Sequence, residues 1–176
     1  SMEKRNFQLI MKSLIHAESR VNLFELSAQW LIDHYLNASD KLFGGTAAFS
    51  FSQVGLDVVV LIGALASAGN AGSREKAQNA FDLGIARIPQ LAARKPVFAF
   101  EENSSYIKVN QALTNLTSAS FKIRQSVMDA GAHCALADRA VTYEEGELLR
   151  VIALALQCPL PPFAAGKDPE SSPAGA

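Results

Sequence analysis

A chain of 176 residues, 49% hydrophobic and 19% charged, is long enough to bury a core and too apolar to be disordered. Its formal net charge of −1 and the absence of any basic cluster give no electrostatic footprint for nucleic acid. Two cysteines, Cys134 and Cys158, lack CxxC spacing and sit in apolar helical patterns; they are expected as buried thiols, which suits a reducing compartment.

Residues 1–5 read as an N-terminal edge, with Ser1 before Met2 resembling a cloning remnant, and the mixed segment that follows does not read as a secretory signal. Phe7, Ile10, Met11, Leu14 and Ile15 then recur at helical spacing and predict a first amphipathic helix over residues 4–17. A second helix is predicted from Asn22 to about Ala38, with Leu23, Leu26, Trp30 and Leu31 along one face. Gly44 and Gly45 break it, and Ser52 is the expected cap of the next helix, Gln53 to Ala68. That helix holds the most apolar run in the chain, but its uninterrupted part, Val58 to Ala68, is too short for a bilayer. A central buried helix is the expectation, and no transmembrane segment.

Ser73 is placed to cap a helix over Arg74 to Ala86, with Ala77, Ala80, Phe81 and Ile85 inward and Gly84 weakening its end. Pro89 starts a short helical turn that Pro96 stops, and residues 97–105 read as a loop with a brief extended part. Two further helices are predicted, Tyr106 to Asn115 and Ser118 to Leu136, the latter burying Phe121, Val127, Met128, Ala132 and Ala135. In the last helix Thr142 and Glu145 have capping-box spacing, and Val151 joins Leu148, Leu149, Ile152 and Leu156 in a wide apolar stripe ended by Pro159. Residues 164–176, rich in Pro, Gly and Ser, are expected to be a disordered tail. The sum is an all-α domain over residues 6–163, a compact bundle of seven to eight helices.

One block occurs twice. His16 to Glu25 aligns without a gap on Leu136 to Glu145 at an offset of 120, matching Ala17 to Ala137, Glu18 to Asp138, Val21 to Val141 and Glu25 to Glu145. Each copy reads as helix, acidic turn, helix, and the two are expected to pack around the Val58–Ala68 helix. If they are related by a pseudo-twofold, Glu18, Glu25, Asp138 and Glu145 would converge as hard oxygen ligands suited to Ca²⁺ or Mg²⁺. The other reading is that each acid caps a helix or pairs with a nearby arginine on a solvated turn.

Catalytic patterns are absent. None of His16, His34 and His133 begins an HExxH, and G-x-S-x-G, phosphate-loop and Rossmann glycine patterns do not occur. The chain is therefore expected not to be an enzyme by itself.

The form A-(D/E)-x-x-V-(N/T)-x-x-E resembles the acidic turn of tellurite-resistance TerB-like helical domains, A-D-G-x-V-x-x-x-E. More specifically, Leu14 to Gln29 and Val141 to Pro162 resemble the TerB-like C-terminal region of bacterial HtpX-type zinc metallopeptidases. The resemblance spans about residues 6 to 163 and is carried by its two ends. It implies a non-catalytic accessory domain, cytoplasmic and tethered to the inner membrane by a parent protease that holds zinc through an upstream HExxH. Its partners would be the protease domain of the same polypeptide, a substrate or another protein. A stand-alone divalent-metal-binding stress protein is the alternative that the same resemblance implies. The chain departs from the motif where Ser19 and Arg139 replace the glycine and where Glu18 replaces the first Asp.

Overall fold

The computed structural model describes residue 48 and residues 50–99 and 106–160, so the first two predicted helices, Trp30 and the predicted tail lie outside the described residues. Within them are six helices: α1 (Phe51–Gly69), α2 (Arg74–Ala86), α3 (Pro89–Ala92), α4 (Tyr106–Thr117), α5 (Phe121–Ala135) and α6 (Tyr143–Leu156). No strand is found among the described residues; Ala48 and Ala119 form an isolated parallel bridge that ties the chain entering α1 to the α4–α5 corner. The described part is all-α.

Helix α1 is the axis, packing against every other described helix. It buries Val54, Val58, Leu61, Ile62, Leu65 and Ala66, so its apolar run is met by protein. Among the described residues it is the one helix long and apolar enough to cross a membrane, and 56% of that window is buried inside the molecule. Asn115 of α4 donates to Asp57 Oδ1 at 2.9 Å and fixes the register of α4 on α1; partial burial raises the Asp57 pKa, and that hydrogen bond opposes the rise.

Helix α1 starts two residues earlier than its sequence pattern suggests. Its cap is Ser50, whose amide donates to Gln53 Oε1 at 3.1 Å, and Ser52 falls inside the first turn with its hydroxyl 2.6 Å from that of Ser50. Ser73 caps α2 as its position predicts, accepting from the Lys76 amide at 3.3 Å. Ala77, Ala80, Phe81 and Ile85 all face inward, and Phe81 stacks on Phe98, with ring centroids 5.0 Å apart, to anchor the stretch after α3.

Gly84 does more than weaken the end of α2. A Cβ there would lie 2.9 Å from Ile62 Cγ2, 3.0 Å from the Ala130 carbonyl oxygen and 3.0 Å from Cys134 Cβ. The missing side chain lets α2 approach α1 and α5 together. Helix α5 buries Val127, Met128 and Ala135 as expected, but Phe121 is 52% exposed. Phe121 stands on the first turn, where its ring covers Arg124 instead of the core, with the guanidinium 5.7 Å from the ring centre.

Helix α6 buries Leu148, Leu149, Val151, Ile152 and Leu156 against α1, α4 and α5. It closes at Leu156 because Gln157 takes a left-handed conformation (φ 51°), letting the Cys158 amide reach the Ala153 carbonyl at 2.9 Å. Pro159 only follows that stop. Arg124 reinforces it, donating from Nη1 to the Leu156 carbonyl at 2.8 Å. Cys134 and Cys158 are both free thiols and both buried.

Candidate functional site

The site begins where α5 ends. After Leu136 the chain makes a tight turn in which the Ala137 amide bonds the Cys134 carbonyl (3.2 Å) and the Arg139 amide the Leu136 carbonyl (3.0 Å). Asp138 Oδ1 accepts from the Ala140 amide at 3.1 Å, a local turn built on a short carboxylate. Arg139 sits at φ 66°, the left-handed region that L-residues other than Asn and Asp seldom occupy. Thr142 then opens α6.

Thr142 and Glu145 cap one another. The Thr142 hydroxyl oxygen accepts from the Glu145 amide at 3.2 Å, while Glu145 Oε2 accepts from the Thr142 amide at 2.9 Å and its hydroxyl at 3.0 Å. Two amides that have no helical partner are satisfied in this way. The side chain of Glu145 is not on a solvated turn, however: the residue is only 3% exposed.

Among the described residues, the end of α1 lies against it. A Cβ on Gly69 would overlap the Glu145 carboxyl carbon and Oε1 and lie 2.7 Å from its Cγ, so the carboxyl group occupies the space that a side chain there would need. Burial raises the Glu145 pKa, the bonds from Thr142 oppose the rise, and the nearby Asp138 and Glu144 charges add to it. Cys134 on α5 shares this environment; burial, and then the Glu145 charge, push its thiol far above the usual range.

Of the four carboxylates that the repeat suggests as divalent-cation ligands, Glu18 and Glu25 lie outside the described residues. Asp138 and Glu145 share one turn, but each accepts a backbone amide of that turn, and Asp138 is exposed whereas Glu145 is buried. Among the described residues, no three His, Cys, Asp or Glu side chains group in a way that would hold a metal ion. His133 points away from this turn, its Nδ1 2.9 Å from the Asp129 carbonyl oxygen and 3.4 Å from Asp129 Oδ1, which itself pairs with Arg87 at 2.9 Å.

The spacing Thr-x-x-Glu shows the cap, but not Gly69 or Cys134 as its neighbours. The sole sequence signal for Gly69 is a glycine followed by Asn70 at a helix boundary, and that identifies the boundary without saying what packs on it. No family model, no curated protein and no solved structure matches the chain.

Proposed function

We propose that this chain is a non-catalytic helical interaction domain, the cytoplasmic C-terminal part of a membrane-bound HtpX-type zinc metallopeptidase, with a TerB-like bundle of seven to eight helices. The observation that carries the reading is the backbone of the turn at Asp138. In the motif A-D-G-x-V-x-x-x-E the third position is glycine, and the residue standing there, Arg139, adopts φ 66°, a conformation that glycine reaches without steric strain. The acid before it folds the turn, and the acid at the end of the motif, Glu145, accepts from the Thr142 amide in the capping box of the following helix.

On this reading the acids serve architecture, fixing the angle between α5 and α6, and the domain works through its helical surface. Zinc would belong to the parent protease, held by its own HExxH upstream. The domain would dock on that protease, on its substrate or on a third protein.

An immunoblot of separated membrane and soluble fractions from the native organism, with antibody raised to this chain, tests the proposal. A membrane band well above 18.9 kDa is the expected result. A soluble band at about that mass would overturn the protease assignment.

A further inference from the structure

We propose that the start of α6 is a proton-controlled latch, in which Glu145, wedged against the Gly69 end of α1, holds the two helices together when protonated and loosens them when ionised. This rests on the geometry of the corner and is independent of any parent protease. Glu145 is 3% exposed, and its carboxyl group fills the gap left by the missing Gly69 side chain. No cation pairs with it among the described residues. A buried carboxylate without a cation is costly to ionise.

Its surroundings reinforce this. Along α1 and the turn after it, residues 58–73 carry no ionisable side chain, so that wall offers no counter-charge. Helix α5 contributes the buried Cys134 thiol. The turn contributes Asp138 and, on α6, Glu144, both of which oppose a negative charge on Glu145. Arg139 and Lys108, the cations nearest in sequence on the turn and the single charged residue of α4, are both exposed, and Arg150 pairs with Glu147. In favour of the ionised form stand the two hydrogen bonds from Thr142 and the amide end of α6.

The direction follows from linkage. Burial holds the Glu145 proton above the ordinary value of 4.5, so the closed corner binds it more tightly than an opened corner does. The closing contribution is complete below that ordinary value and is lost as pH rises through the raised one. Acidification therefore tightens the contact between α1 and α6, and each unit of the rise appears as a tenfold change in the opening equilibrium.

Amide hydrogen exchange of α6's first turn, corrected for intrinsic rates, reads that equilibrium in the intact chain and in Glu145→Gln. Protection in the wild type should fall with rising pH and then level off, while the variant stays flat. Identical pH profiles in the two proteins would overturn the latch. Should Glu145→Gln fail to fold, carbon-detected titration of the Glu145 carboxyl in the wild type decides: a midpoint above 4.5 supports it, and one at or below 4.5 refutes it.

Discussion

Among the described glycines at helix contacts, Gly84 and Gly69 meet opposite chemistry. Gly84 on α2 faces Ile62, the Ala130 carbonyl and Cys134, a dry corner where shape decides. Gly69 on α1 faces the carboxyl group of Glu145, a corner where shape and charge are set by the same side chain. A small residue at a helix crossing therefore does not define its interface; what fills the space does. One corner should be insensitive to pH and the other should not.

The strongest way to break the dry corner is Phe81→Ala. Phe81 is fully buried one turn before Gly84 and stacks on Phe98, so its loss should cost about 3–5 kcal/mol in urea denaturation. The cost should be the same at pH 5 and pH 8. A loss that depends strongly on pH would mean that α2 packs through charge after all.

The paired glycine substitutions sharpen the contrast directly. Gly84→Ala gains helix propensity but drives a methyl into three neighbours at 2.9–3.0 Å, including a backbone oxygen that has no side-chain freedom to move. Overpacking should prevail by about 1–3 kcal/mol, at every pH. Gly69→Ala instead displaces a side chain that can swing out to water. It should cost about 1–2 kcal/mol, the value of a lost cap, and should abolish the pH dependence of the α1–α6 corner. If Gly69→Ala leaves both stability and the pH profile unchanged, Glu145 does not occupy that space.

Thr142→Ala tests the cap apart from the wedge. It removes the acceptor for the Glu145 amide and one of the two donors to Oε2, so about 1 kcal/mol should be lost. With one donor gone, the Glu145 proton should be held still more tightly, moving the latch midpoint upward in the exchange profile. A downward movement would mean that the hydroxyl does not donate to the carboxylate.

What the sequence shows and what it leaves hidden divide along the same lines. Local chemistry is legible: Ser73 caps α2, Thr142 and Glu145 form their box, and the stripe from Leu148 to Leu156 is buried. These depend on residues within a few positions of one another. Ser52 misleads because Ser50, two residues earlier, has a better partner in Gln53, and Phe121 misleads because a first-turn aromatic can lie over its own helix. The two glycine contacts join residues far apart in the chain, so no periodicity records them. The pairing of the Asp138 turn with the turn expected at Glu18 is likewise a question of long-range approach, and Glu18 lies outside the described residues.

The smallest expected effect concerns Arg139, and it bears most directly on the motif. A left-handed L-residue costs roughly 1–2 kcal/mol, and glycine removes that cost but adds conformational freedom to the unfolded chain. Arg139→Gly should therefore stabilise by about 0.5 kcal/mol, whereas Arg139→Ala, which keeps the strain, should be near neutral. Gln157→Gly is the internal control, because Gln157 is left-handed too (φ 51°) but belongs to a helix stop with no acidic turn. Equal gains at both sites would mark the Arg139 conformation as ordinary relief of backbone strain. A gain at Gln157 with a loss at Arg139 would mean that the arginine side chain contributes to the turn, weakening the argument that the position is a glycine site occupied by another residue. Thermal denaturation of the three variants side by side distinguishes these cases.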